Sequence, residues 1–208
     1  MRQRLTRNQK GQTLEEFLAA YHPGDYPRPS VTVDLLVFSL EGEKPELLMI
    51  RRGNHPYLDC WALPGGFVEP EEYTLDAAAR ELEEETHVSG LALAELGLFS
   101  GPKRDPRNWT MTDAYLAVAD RSTLPVRGDD DAADAGWFAV DCAREGDLMR
   151  LTLTGEGEVL TAEVTLAGRD TALGPVVEPV GFVTDDIAFD HSKMIVAGLL
   201  ALERAGRL

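Results

Sequence analysis

The sequence predicts an α+β fold, and three observations point there. "SVTVDLLVFSL" (residues 30–40) is apolar and β-branched, as a buried strand is. "TLDAAARELEEET" (74–86) and "HSKMIVAGLLALERAG" (191–206) carry apolar residues at helical spacing. Between and after them lie short runs of alternating or β-branched residues, punctuated by Gly, Pro and Asp.

Taken in order, residues 1–12 are polar and read as a frayed start. "TLEEFLAAY" (13–21) reads as a short amphipathic helix with Thr13 as its cap and Phe17 and Tyr21 on one face. "HPGDYPRP" breaks it. The strand at 30–40 turns at "GEKP" and pairs with "ELLMIRRG" (46–53). Beyond the helix at 74–86, "LALAELGLFSG" and "WTMTDAYLAVAD" read as strands, with the polar loop "PKRDPRN" (102–108) between them. "RGDDDAADAG" reads as an acidic loop and "WFAVD" as a short strand. Residues 148–167 alternate on both sides of "GEGE", which is a hairpin pattern. "TALGPVVEPVGFVTDD" reads as a loop-rich return. The last helix takes Asp190 as its cap and ends at Gly206.

Composition narrows the function. A chain of 208 residues suits one domain with additions, and 44% hydrophobic residues suffice for a core. A formal charge of −16 speaks against a nucleic-acid partner, which needs a basic stripe. It allows a small polyanionic substrate where metal ions screen the site. No apolar run approaches the ~20 residues that span a bilayer, and the basic N-terminus lacks the apolar stretch of a secretory signal. Cys60 and Cys142 are far apart and in no metal-ligand spacing, as expected of reduced thiols in a cytoplasmic protein.

One stretch resists a purely structural reading. "GGFVEPEEYTLDAAARELEEET" (65–86) holds Glu69, Glu71, Glu72, Asp76, Glu81, Glu83, Glu84 and Glu85 against a single Arg80. Two carboxylates about 4 Å apart near a surface repel by roughly 4 kcal/mol. With Thr74 as cap, Leu75, Ala78, Ala79 and Leu82 form the expected buried stripe. Glu81, Glu84 and Glu85 then share an adjacent face, near the end of the helix where its dipole opposes them. No lysine interleaves. A hard divalent cation, Mg²⁺ or Mn²⁺, answers that crowding. Gly65 and Gly66 lack side chains, so their backbone can approach the ion and the substrate. Arg80 is the internal counterweight, able to reach Glu72 or Glu84.

The spacing Gly66, five residues, Glu72, seven residues, then Arg80-Glu81-Leu82-Glu83-Glu84-Glu85 resembles the Nudix box, G-x5-E-x7-R-E-U-x-E-E-x-G-U, with U apolar. Six specified residues coincide by chance less than about once in a million starts. His87 stands where the box has glycine, at the end of the helix, a position expected at positive φ. "YPRPSVTVDLLVF", "CWALPGGFVEP", "RDPRNWTMTDAYLAV", "DDAADAGWF" and "IAFDHSKMI" are similar to the ADP-ribose pyrophosphatase-like branch, which also supplies the sensor half of regulators of NAD metabolism.

The resemblance implies an α/β/α sandwich with a mixed sheet, as one Nudix domain over 1–208. Residues 1–28 are then an N-terminal extension, and 148–183, with the 148–167 hairpin, an insertion before the last helix. It implies metal-assisted attack of water on the pyrophosphate of a nucleoside diphosphate derivative, with ADP-ribose giving AMP and ribose 5-phosphate as the leading case. Glu81, Glu84 and Glu85, with the Gly65 carbonyl, match the metal positions, and Arg80 and Glu72 complete the catalytic set. One of the three glutamates, or a loop acid at Asp129, Asp130, Asp131 or Asp134, is the expected general base, with Asp131 the loop candidate. Arg52, Gly66, Arg104 and Arg107 are the substrate-binding candidates, and Lys103 shares their loop. Trp61, Phe67 and Trp109 are stacking or core residues. His191 is expected to support the helix start, and His22 and His55 to lie on the surface.

Three other readings compete. One is a different dinucleotide or nucleotide-sugar pyrophosphatase. Another is a sensor without catalysis. The third is a DNA-binding regulator, which needs a winged helix after the "AFDHSKMI" helix and a different charge. A homodimer is expected, through the N-terminal segment or the open edge of the hairpin.

Overall fold

The computed structural model describes residues 6–124, 126, 132–172 and 174–208, with the backbone alone at 132 and 133. α1 (Leu14–Ala19) starts from a capping box between Thr13 and Glu16 and buries no residue. β1 (Ser30–Ser39) and β2 (Glu46–Arg52) pair antiparallel, as their patterns predict. Two short strands, β3 (Trp61–Ala62) and β4 (Gly65–Phe67), pair with β2 and β1 respectively. Next come α2 (Thr74–Thr86), β5 (Ala94–Phe99) and β6 (Thr110–Val118), then a long antiparallel run. That run is β7 (Ala132–Glu145), β8 (Leu148–Gly155), β9 (Glu158–Thr171) and β10 (Gly174–Val183), and α3 (His191–Arg204) closes the chain.

The sheet order is β10-β9-β8-β7-β2-β1-β6-β5, with β1 and β6 parallel and the other pairs antiparallel. Alternation along β1 builds both layers. Leu36 and Phe38 face the α3 side, with Leu47, Met49, Met194, Ile195 and Leu199. Val33, Leu35 and Val37 face the α2 side, with Leu48, Ala78 and Leu82. The result is an α+β sandwich around a mixed sheet.

Three local expectations are corrected. Residues 171–186 are not a loop-rich return, because Gly174–Val183 pairs along β9. Pro179 sits at a bulge there, and Pro175 near the strand start, on an edge strand where proline is tolerated. The hairpin edge is therefore covered, and the open edge belongs to β10. "WFAVD" is the middle of a strand that runs from Ala132 to Glu145, because β2 and β8 pair on either side of it. Leu151, Leu153, Leu160 and Ala162 carry the core onward beneath α3.

Candidate active site

α2 begins at Thr74 with Tyr73 as its cap residue, and no side chain caps it. The Thr74 hydroxyl is instead within 2.7 Å of the Tyr115 hydroxyl, so a tertiary contact takes the group expected to cap. The buried stripe is also rotated from the expected one. Leu75 and Ala79 are exposed, and Ala77, Ala78, Leu82, Glu85 and Thr86 are buried. This rotation carries Glu85 inward, where its Oε2 accepts the Gly65 N–H at 2.7 Å. His87 ends the helix at φ 58°, the left-handed conformation that the box glycine takes freely.

Arg80 gathers the remaining acids. It donates to Glu72 (2.9 and 3.1 Å), Glu81 (2.8 Å), Glu84 (3.0 Å) and the Phe67 carbonyl (3.1 Å). The hydrogen bonds from Arg80 hold the Glu72 carboxyl below its usual range. Burial pushes Glu81 up, with Glu84 and Glu72 adding to it, although Arg80 opposes the shift. Burial pushes Glu85 furthest, to about 8, with Glu81 and Asp34 contributing and the Gly65 N–H opposing.

The two glycines are required for different reasons. A Cβ at Gly65, whose φ is +153°, would lie 2.1 Å from the Val33 carbonyl oxygen. A Cβ at Gly66 would lie 2.4 Å from the Glu81 carboxylate. Gly65 thus keeps β4 against β1, and Gly66 leaves room for Glu81. Among the described residues, no three His, Cys, Asp or Glu side chains are gathered for a metal as they stand. Glu81 and Glu84 are turned to Arg80, and Glu85 to the backbone. Even so, the donor set fits a hard divalent ion. It is all oxygen, it carries more negative charge than Arg80 balances, and burial opposes that charge.

Gly65, Gly66, Arg80, Glu81, Glu84 and Glu85, but not Glu72, line a cleft of about 760 Å³ together with Arg52, Phe67, Arg104, Arg107, Phe189 and His191. Every substrate-binding candidate therefore reaches one space. Arg52 donates from Nε to the Pro56 carbonyl (2.9 Å), and its guanidinium lies 5.0 Å from the Phe189 ring centre. Arg107 pairs with the buried Asp105 (2.7 Å) and lies over Phe67 and Phe189. Lys103 is exposed and is not among the cleft residues. Asp129, Asp130 and Asp131 lie outside the described residues, and the exposed Asp134 does not line the cleft. Trp61 packs edge-on against Phe138 in the core, and Trp109 is exposed and not among the cleft residues, so of these three aromatics only Phe67 lines the site. His22 and His55 are exposed, as expected. Cys60 and Cys142 are free thiols, and burial pushes Cys142 to about 11.

Several cleft residues had no counterpart in the motif: Thr32, Asp34, Asn54, Glu69, Asp105 and Phe189. Asp34 had one legible signal, a lone carboxylate interrupting a β-branched apolar run. Phe189 takes φ 53°, unusual for a bulky residue, which nothing in its sequence announces.

The family model for the NUDIX domain matches residues 28–154. The ADPR responsive transcriptional repressor NtrR of Acinetobacter baylyi is 40% identical over 106 residues, 50% of this chain and 42% of that protein. The ADP-ribose pyrophosphatase of Methanocaldococcus jannaschii is 37% identical over 114 residues, 54% of this chain and 63% of that protein. The chain thus spans about half the length of these curated relatives. A MutT/nudix family protein from Enterococcus faecalis superposes with a TM-score of 0.71 at 32% identity, over 93% of this chain and 70% of its own. That coverage is too high to be confined to 28–154, so the similarity continues into the β8–β10 region. The NUDIX domain of Shewanella oneidensis NrtR, solved with ADP ribose, gives 0.57 at 29% identity, over 62% of this chain and 84% of its own.

Proposed function

Since the chain belongs to the Nudix family, we propose that it is a metal-dependent hydrolase that cleaves the pyrophosphate of a nucleoside diphosphate derivative, with ADP-ribose giving AMP and ribose 5-phosphate. One observation carries the reading: Glu81, Glu84 and Glu85 stand in one cleft with Arg52, Arg104 and Arg107, with more carboxylate than Arg80 balances. The pyrophosphatase relative supports the substrate class.

Glu81, Glu84, Glu85 and the Gly65 carbonyl would hold Mg²⁺ or Mn²⁺, which when bound supplies Lewis acidity toward the pyrophosphate oxygens and the attacking water. Arg80 keeps Glu72, Glu81 and Glu84 within reach of one another. Arg52 and Arg107, stacked on Phe189, direct their guanidinium groups to the anionic part of the substrate. Gly66 lets the substrate approach the backbone beside Glu81. The glutamates and Asp131 are the acids proposed to take the proton from water. Substituting Glu84→Gln or Glu85→Gln lowers metal affinity and turnover with the fold intact, and full activity in both variants refutes the assignment.

The deciding experiment is phosphate release, through a coupled phosphatase, from ADP-ribose, ADP-glucose, NADH, diadenosine polyphosphates and 8-oxo-dGTP with Mg²⁺ or Mn²⁺. Preference for ADP-ribose upholds the proposal. The repressor relative and the ADP ribose-bound regulator domain favour a second reading, ADP-ribose sensing without turnover. Tight binding with no release from any substrate selects it.

The rest of the chain is proposed as part of the same Nudix unit, in a cytoplasmic homodimer. No helix among the described residues is long and apolar enough to cross a membrane. The open β10 edge and the exposed Leu14, Phe17 and Leu18 of α1 are the surfaces offered for pairing. A monomer mass in light scattering at micromolar concentration overturns the dimer.

A further inference from the structure

The same cleft holds a second charged set. The side chains of Arg104, Asp34, Asp190 and His191 are 5%, 9%, 2% and 4% exposed. Arg104 donates to Asp190 from Nε (3.1 Å) and to Asp34 Oδ2 from Nη2 (3.4 Å), and Nη2 is ion-paired with Asp190 at 2.9 Å. His191 is fixed from behind, because the Leu63 N–H donates to Nδ1 at 2.8 Å. Nδ1 is therefore the bare nitrogen, and the ring hydrogen sits on Nε2, which faces Asp34 Oδ1 at 3.4 Å. Burial lowers the His191 pKa and favours the neutral ring. Lys193 stands 3.8 Å from Asp190. Two carboxylates thus face two cations, and the set is formally neutral.

Hydrogen-bonding capacity is left over on the cleft side. Asp34 and Arg104 both line the cleft, and Asp190 does not. Among the described residues each Asp34 oxygen takes one long contact, and an ionised carboxylate accepts about four hydrogen bonds. The Nη1 of Arg104 has no hydrogen bond to the described residues, and Arg104 lines the cleft, so Nη1 is the donor it can offer there.

A phosphate is drawn by surplus positive charge, and Arg104 has none left once Asp34 and Asp190 are counted. A hydroxyl asks for something else, an acceptor for its hydrogen and a donor for its oxygen. Two adjacent hydroxyls match the Asp34 oxygens and the Arg104 Nη1. Dinucleotide-binding folds use an acidic residue on ribose hydroxyls in the same way. We propose that Asp34, oriented by His191 and paired with Arg104, is a specificity-determining residue that reads a vicinal diol on a ribose of the substrate. Asp190 and His191 are positioning residues behind it. The assignment rests on the nucleoside-diphosphate-sugar reading and names the part of that substrate taken here.

Three ligands test it: ADP-ribose, the analogue lacking the 2- and 3-hydroxyls of the terminal ribose, and the one lacking those of the adenosine ribose. Affinities are measured by calorimetry in EDTA, and kcat and KM with Mg²⁺ in parallel. For the wild-type chain, one analogue is expected to bind about tenfold to a hundredfold more weakly than ADP-ribose. Asp34→Asn loses that factor on ADP-ribose, mostly in KM, and loses nothing further on that analogue. Arg104→Lys, which keeps the charge but not the fork, gives the same collapse of preference and serves if Asp34→Asn fails to fold in a melting curve. Equal weakening of all three ligands by either variant, no discrimination by the wild type, or no binding at all overturns the inference. Discrimination in binding with no turnover in Mg²⁺ or Mn²⁺ upholds it and sinks the hydrolase reading instead.

Discussion

Arg80 and Arg104 each sit among carboxylates in one cleft, and the two sets differ in balance. Arg80 faces Glu72, Glu81 and Glu84 with Glu85 close by, and its side chain is about a quarter exposed. Arg104 faces Asp34 and Asp190, is nearly buried, and has Lys193 to even the count. The first set is short of positive charge and calls for a cation from outside. The second closes on itself and offers only directed hydrogen bonds. Charge in a cleft is thus not one signal: its sum separates a place for ions from a place for neutral polar groups.

Four predictions strain that contrast. Arg104→Ala leaves two buried carboxylates without their main partner and is expected to cost about 3–5 kcal/mol in urea unfolding, with no recovery on adding Mg²⁺. Recovery by Mg²⁺ would erase the distinction between the two sets. The next effect concerns pH. The Glu85 pKa lies near 8 in the folded chain against an ordinary 4.5, so the folded state holds a proton that the unfolded state has lost across that window. Stability of the metal-free protein therefore falls as pH rises from about 4.5 to 8, and Glu85→Gln flattens that fall. Identical pH profiles of melting temperature in both proteins would count against the buried placement of Glu85. Arg80→Ala costs less, about 1–2 kcal/mol, because Arg80 is itself about a quarter exposed and water reaches Glu84, its most open partner, and Mg²⁺ restores part of the loss. His87→Gly touches neither arginine and is expected to stabilise by about 0.5–1 kcal/mol, since glycine adopts φ 58° freely. A lower melting point in that variant would mean that the His87 side chain contributes more than its backbone costs.

The ion-seeking set was legible in the sequence because one helix and the loop before it supply nearly all of it. Spacing alone brought Glu81, Glu84 and Glu85 together, and Gly65 and Gly66 preceded them. The rotation that buries Glu85 and exposes Leu75 was not legible, because it depends on how α2 packs on β1. The balanced set was only half visible. Arg104 was picked out as a loop cation, but its partners Asp34 and Asp190 lie 70 and 86 residues away. His191 was expected to support the helix start; it is the first residue of α3 and accepts the Leu63 N–H, and it also lines the cleft. In the sheet, β10 was hidden by its prolines and glycines, which local propensity reads as loop and pairing with β9 overrides. Asp131 falls outside the described residues.

The register of β1 has a kinetic consequence. Ser30 pairs with Thr110 and Val33 with Asp113, so the strand that carries Thr32 and Asp34 is closed by a partner about eighty residues away. The strands β7 to β10, by contrast, follow one another with two residues between each and the next, and each pairs with the next. Closing long loops is entropically slower than forming neighbouring hairpins. The meander is therefore expected to gain amide protection first during refolding, and residues 32–34 late, in pulse-labelled hydrogen exchange. A chain stalled partway would then hold most of its sheet and none of its chemistry, and recovery of ligand binding would time the last step of folding.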